Sequence, residues 1–303
     1  MPNIKYQGKK FKPASLEVID HANRIIAEYL EQGYSLTLRQ LFYQFVSRAL
    51  LPNTMRSYKN LGTVISDGRL AGRIDWEAIE DRTRNLHRLA EWESPADIVD
   101  ACARQFKVDL WHDQPKRIEV WIEKEALSGV FQRVCDEERC PFFACRGYTS
   151  QSEMWSAGQR LISYHRKGQV PVIIHFGDHD PSGIDMSRDI EDRLNLFMGH
   201  HLGRCPLEFK RLALNMDQVE EYAPPPNPAK MTDARAQDYV DQYGDESWEL
   251  DALEPDVLAG LVRDFVRGQR DDELWQRSLE REDEHRRLLR AVSSRWNDLT
   301  ADL

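Results

Sequence analysis

One stretch constrains the fold more than any other. Residues 170–176 read VPVIIHF, and the turn-rich GDHDPSG of 177–183 follows at once, opening a helical pattern. An apolar run of that length reads as a strand buried on both faces, which requires helices over both faces of its sheet. Arg117–Glu123 (RIEVWIE) and the shorter Phe142–Cys145 are two further strand candidates, and stretches near 126–137, 152–166 and 183–198 have helical spacing. Strands alternating with helices predict a parallel α/β domain over residues 116–260. A chain of 303 residues, 41% of them hydrophobic, has room for that core and for a second domain.

The second domain reads as all-helical. After a polar arm over 1–13, Leu16, Ile19, Ala22, Ile26 and Leu30 predict a helix over 15–32, with Ser15 as its N-cap and Gly33 just past its end. A second helix starts near Ser35 or Thr37 and runs to about Leu51, and a third runs from about Thr54 to Ala71. Three helices followed by Arg73-Ile74-Asp75-Trp76 fit a winged-helix (helix-turn-helix) domain over 1–90. Residues 91–115 read as a helical connector, its helix opened by Ser94-Pro95. Residues 222–232 are a proline-rich loop, and 261–303 a helical C-terminal extension.

Charge divides along the same line. Residues 1–90 hold 14 Lys and Arg against 9 Asp and Glu, and the remainder holds 27 against 42, within an overall charge of −10. The basic front suits a polyanion. Arg56, Lys59, Arg69 and Arg73 on the third helix and its exit are candidate phosphate contacts, with Arg82, Arg84 and Arg88 after them. A solvated helix face is the alternative. The chain has no 18-residue apolar run, and its first residues carry lysines without an apolar segment, so neither a membrane span nor a secretory leader is expected. Five cysteines at 102, 135, 140, 145 and 205, without a CxxC pair, read as reduced thiols of a cytoplasmic protein.

In a parallel sheet the loops after the strands gather at one edge. Glu123 ends one strand, and Asp178 and Asp180 follow another, so three carboxylates with no soft ligand can converge there on Mg²⁺, or on Mn²⁺ in its place. The alternative is an Asp-x-Asp turn that caps a helix. His175 and His179 flank the turn, where packing or hydrogen bonding suits them better than ligation.

On the second helix, Leu38, Leu41, Phe42, Phe45, Val46 and Ala49 form one apolar stripe. Tyr43 lies off its centre, beside Arg39 one turn back, which makes its hydroxyl available to solvent or to a phosphate. The alternative is a rim residue with its ring on the core.

WIEKEA at 121–126, RGY at 146–148 and DHDPSGID at 178–185 together resemble the Toprim domain. The finer similarity is to the family of the topoisomerase VI A subunit and the meiotic double-strand-break protein, and it covers roughly residues 35–260. The shared pieces are Glu123-Lys124, Gly147-Tyr148 and Asp178 to Gly183, with an Arg-x-x-x-Tyr pattern at Arg39–Tyr43 in which Phe42 stands where the family has a further tyrosine. The resemblance implies a winged helix before a Toprim-like domain, Mg²⁺ at Glu123, Asp178 and Asp180, and Glu123 as ligand or general acid. It implies Tyr43 as the nucleophile that forms a phosphotyrosyl link to duplex DNA, with Arg39 and Arg146 on the phosphate. It also implies a homodimer making paired cuts, tyrosine and metal coming from different subunits, and a separate ATPase subunit as partner, since the chain has no GxxxxGK[ST] loop. Glu249 and Asp251, in WELDAL, sit where relatives carry an acid, and a supporting role is expected of them. Two other functions fit the same residues: a Toprim nuclease that hydrolyses DNA with metal-activated water, and a winged-helix protein that binds DNA without cutting it.

Overall fold

The structure, a computed structural model, describes residues 3–80, 89–203, 206–229 and 236–296. It is a mixed α/β fold. The N-terminal part runs α1 (Pro13–Glu31), β1 (Leu36–Thr37), α2 (Leu38–Ser47), α3 (Met55–Leu70) and β2 (Ile79–Glu80). Then come α4 (Pro95–Gln105), β3 (Lys116–Ile122), α5 (Ser128–Glu137), β4 (Phe142–Ala144), α6 (Gln151–Arg166), β5 (Val170–Phe176) and α7 (Pro181–Leu202). The C-terminal part holds β6 (Glu208–Ala213), α8 (Met216–Tyr222), β7 (Asn227–Pro228), α9 (Ala236–Tyr243), β8 (Glu246–Ser247), α10 (Pro255–Gln269) and α11 (Asp272–Ser294). No helix among the described residues is long and apolar enough to cross a membrane.

Four strands form the central sheet in the order β4-β3-β5-β6, all parallel. The two inner strands sort their side chains by the period of two. Ile118, Val120, Ile122, Val172, Ile174 and Phe176 enter one apolar cluster, which α5, α10 and the N-terminal helices complete. Trp121 and Ile173 point the other way, into a cluster with Met154, Leu161 and Ile162 of α6 and Ile190, Leu194 and Met198 of α7. On that second face two polar residues are buried with partners: Glu119 accepts from Arg160 and Trp121, and His175 meets the Ser187 hydroxyl at 2.9 Å.

The N-terminal helices are docked on the sheet domain through one continuous apolar cluster. α1 begins at Pro13 with Lys12 before it, so Ser15 lies inside the helix and is not its cap; proline at the first position pre-sets the helical φ. Thr37 closes a reciprocal capping box with Gln40 and starts α2. α2 ends at Ser47, four residues short of Leu51, because Ala49 adopts a left-handed φ of 54° that no helix continues through. Thr54 and Ser94 cap α3 and α4 as their sequences require. β1 pairs with β2 in parallel, so three helices and a short parallel pair describe the N-terminal part. Arg82, Arg84 and Arg88 lie outside the described residues. Cys102, Cys135, Cys140 and Cys145 are free thiols, and Cys205 also lies outside.

β6 was not legible as a strand. Its sequence, EFKRLA, puts three charged residues on a sheet edge and carries a bulge opposite His175 and Phe176.

Phe176 is fully buried at the last position of β5, where its ring meets Phe131 edge-on at 4.7 Å. Phe176→Ala is expected to cost about 3–5 kcal/mol of stability, read as a lower urea midpoint with the slope unchanged.

Candidate functional site

The site grows from the ends of the two inner strands. Glu123 is the first residue after β3, and its backbone N–H still bonds Phe176 O at 2.8 Å, which sets it beside Gly177-Asp178 at the end of β5. The Glu123 carboxylate accepts from the Asp178 N–H at 2.9 Å. Asp180 is the N-cap of α7: its Oδ1 accepts from Gly183 N at 2.6 Å and from the Ser182 hydroxyl at 2.8 Å. The capping alternative therefore holds for Asp180 in full, and it leaves the second carboxylate oxygen outside the cap.

Gly183 is required by close approach. A Cβ there would lie 2.2 Å from the carbonyl oxygen of Asp178, which is backbone and has nowhere to move. Pro181 opens the helix, and the turn is tied down by Arg211 of the bulged edge strand. Its guanidinium donates to Gly177 O at 3.0 Å, Asp178 O at 2.6 Å, Gly183 O at 3.0 Å and the Ser187 hydroxyl at 2.5 Å. One part-buried cation thus ties three carbonyls of the turn to the edge strand.

A second segment closes on the turn. His179 and Trp248 exchange both backbone hydrogen bonds, at 2.8 and 2.9 Å, in an antiparallel bridge. His179 also contacts the Tyr239 hydroxyl through Nδ1 at 2.8 Å. This bridge delivers Glu249 and Asp251, and the Leu250 N–H donates to Asp178 Oδ1 at 2.8 Å. The three carboxylates whose oxygens lie within 4.8 Å of one another, among the described residues, are Asp178, Glu249 and Asp251. This set differs from Glu123, Asp178 and Asp180, and it moves Glu249 and Asp251 from support to the centre. Glu123 and Asp180 adjoin it through the turn.

Lys124 occupies the middle of the set. Its Nζ is 2.8 Å from Asp178 Oδ1 and 2.9 Å from Asp251 Oδ1, and it also pairs with Glu249. Burial works against the ammonium, but Asp251, Asp178 and Glu249 overcome it and hold the pKa well above its ordinary value. Burial also raises Glu123, a shift only partly offset by the Asp178 N–H and by Lys124.

α2 reaches the same acids. Arg39 Nε is 3.3 Å from Asp251 Oδ2, and a second guanidinium nitrogen is 3.7 Å from Glu249 and 3.5 Å from the Tyr43 hydroxyl. Tyr43 is not the solvent-available residue that the helix pattern suggests. It is 8% exposed, with its ring packed on Phe42 at 5.7 Å, because the apolar stripe is wide enough to take in its flank. It lines a cavity of about 160 Å³ with Arg39, Phe42, Asn53, Met55 and Tyr58. Burial, then Asp251 and Glu249, push its hydroxyl up to about 12.

The remaining basic candidates divide. Arg56 and Lys59 are exposed on α3. Arg69 is turned inward, donating to the carbonyls of Trp76 and Ile79. Arg73 stacks over Phe11 at 5.6 Å. Arg146 is 69% exposed at its side chain, pairs with Glu125, and sits with Gly147 in a left-handed turn at φ 57° and 87°. Tyr148 donates to Asp185 at 2.5 Å. No protein-family model matches the chain, and no curated protein matches it.

The donor set suits a hard divalent cation. It consists of carboxylate oxygens alone, and Asp251 Oδ2, in a side chain with no exposure, accepts no hydrogen bond from the described residues.

Two measurements test the site's physics. Gly183→Ala is expected to lower stability by about 2–4 kcal/mol, seen as a fall in Tm, because the turn cannot retreat. His175 has its pKa pushed down to about 3 by burial and by the Arg211 charge, against an ordinary 6.5. Below pH 6.5 the unfolded chain takes up a proton that the folded chain refuses. Stability from this group is therefore present above 6.5 and lost toward pH 3, by about 4–5 kcal/mol. His175→Asn is expected to flatten that part of the urea midpoint's pH dependence, and an unchanged slope would show that the ring is protonated in the fold.

Proposed function

We propose that this protein cleaves DNA at the acidic turn with a divalent cation, most simply Mg²⁺, and that it is a relative of the topoisomerase VI A subunit with a winged-helix-like front. The observation that carries this reading is the junction of Arg39 with Asp251: the helix bearing Tyr43 and the loop bearing the carboxylates are held together within one chain. Asp178, Glu249 and Asp251 would hold the cation, with Glu123 and Asp180 beside them. Once bound, the cation supplies charge neutralisation to a phosphodiester and to its leaving oxygen.

The chain's own residues carry the rest. Tyr43 would lose its hydroxyl proton to water, its oxygen would bond to phosphorus as the phosphorus–oxygen bond of the strand breaks, and the departing oxygen would take up a proton, giving a phosphotyrosyl end and a free hydroxyl. The Arg39 guanidinium faces both the Tyr43 hydroxyl and the site, so it favours the phenolate and steadies the phosphate. Glu123, raised by burial, is suited to give a proton to the departing oxygen. Exposed Arg56, Lys59 and Arg146 are the surface cations available to duplex phosphates. The contact of Arg39 with Asp251 supports assembly of tyrosine and carboxylates in cis, although the family resemblance implies exchange across a homodimer. An ATPase subunit would remain a separate partner.

A second reading has its own support. A tyrosine buried to 8% exposure, with its ionisation pushed to about 12, is a poor nucleophile until something neutralises Asp251 and Glu249. On that reading Asp178, Glu249 and Asp251 would hold a cation that activates water to cut the strand, and Tyr43 would only pack.

The test incubates end-labelled plasmid fragments with protein and Mg²⁺ or Mn²⁺, then runs denaturing protein gels with and without protease. A protease-sensitive labelled adduct, lost in Tyr43→Phe and in Asp178→Asn, is expected. Free ends that survive Tyr43→Phe but need Asp178 would establish hydrolysis. DNA bound and never cut, with either metal, would leave a binding protein.

A further inference from the structure

Three carboxylates from two segments share one cation that the chain itself supplies. Lys124 Nζ lies within 2.9 Å of Asp178 Oδ1 and Asp251 Oδ1 and also pairs with Glu249. Those are the same three carboxylates that lie within 4.8 Å of one another. The lysine side chain is only 13% exposed, and Asp251 not at all. Asp251 Oδ2, buried and without a hydrogen bond from the described residues, is turned to the Arg39 guanidinium. An ammonium and a divalent ion on the same three carboxylates would repel each other at contact distance.

We propose that Lys124 is a resident counter-ion that a divalent cation must displace. The inference rests on the metal reading above and deepens it. In the metal-free protein Lys124 holds Asp178, Glu249 and Asp251 together, so the site is assembled before any metal arrives. Metal entry transfers the three carboxylates from the ammonium to the ion. The Lys124 head then leaves on its four-carbon stem, which begins directly after Glu123 at the rim of the sheet edge. Released there, it is a cation beside the position where a phosphodiester would lie. Metal binding and phosphate recognition are thereby linked through one side chain. The affinity for metal also carries the cost of breaking the lysine's ion pairs, so removing the ammonium tightens metal binding.

Two measurements on the full chain test this. The first is Mn²⁺ binding by electron paramagnetic resonance of the free ion, in wild type, Lys124→Met and Asp251→Asn. Lys124→Met is expected to bind Mn²⁺ at least about tenfold more tightly than wild type, and Asp251→Asn more weakly. Equal or weaker binding by Lys124→Met, with wild type binding normally, would overturn the displacement and leave the metal reading intact. No binding by either protein would overturn both. The second needs no variant: the Nζ–H signal of Lys124 in ¹⁵N-lysine-labelled wild type, with and without diamagnetic Mg²⁺. A paired, buried ammonium gives a protected signal that is expected to vanish into solvent exchange on Mg²⁺ addition. A signal that persists at saturating Mg²⁺, while other site resonances shift, would show that lysine and metal coexist and would sink the proposal.

Discussion

The buried charge at the edge of the sheet is the constraint on which the rest of this structure depends. Five acids (Glu123, Asp178, Asp180, Glu249 and Asp251) meet three bases (Lys124, Arg39 and Arg211) in and around one turn. Removing so many charges from water is unfavourable unless each finds partners. The fold meets that requirement with elements far apart in sequence. β3 is followed at once by Glu123-Lys124, β5 runs into Asp178, bulged β6 sends Arg211 under the turn, the segment after β8 brings Glu249 and Asp251, and α2 brings Arg39. The apolar clusters on the two faces of the sheet set these elements in register. The ion pairs then select one arrangement at their ends.

Much of this was readable because period and punctuation agree locally. The run from Val170 to Phe176 is apolar on both faces, as an inner parallel strand must be, and the strand has those same bounds. Thr54 and Ser94-Pro95 announce their helices, and Glu123 and Asp178 were placed together by the rule that parallel strands end at one edge. What was not legible depends on pairing rather than pattern. EFKRLA has no run of β-branched residues, and only its partner β5 makes it a strand. Arg211 looks like any surface arginine until the bulge turns it under the loop. The central role of Asp251 depends on the backbone bridge between His179 and Trp248, which no local signal encodes. Tyr43 was misplaced for a related reason. A helical wheel ranks positions by angle, but α2 is sunk against α1, α3 and the loop at Leu250, so its flank is buried too.

The burial of Tyr43 changes how its chemistry has to be understood. Its hydroxyl is held neutral by desolvation and by the nearby acids, while Arg39 and Lys124, the cations that favour the phenolate, are shared with those same acids. Neutralising Asp251 would act on Tyr43 twice. It would remove a repelling charge, and it would free more of the Arg39 guanidinium for the phenol oxygen. Tyr43 and the acid cluster are therefore coupled by Coulomb forces across one arginine, without any movement of the backbone.

The same charges decide the order in which ligands can arrive. With Glu123 holding the proton it would donate and the other seven groups ionised, the cluster carries a net charge of −1, so a phosphodiester, itself an anion, is repelled from it. A divalent ion would by itself turn that net charge positive. It also turns Lys124 from a partner of the carboxylates into a surplus cation at the rim. An anionic strand is attracted only after that exchange. On the proposed function the acidic turn would then be selective against phosphate when empty and receptive when loaded, which would make cutting conditional on metal through binding as well as through chemistry. An all-carboxylate cluster without a lysine would take up metal more readily but would have no cation to hand to the strand. That difference is a physical reason for a lysine to follow directly after Glu123.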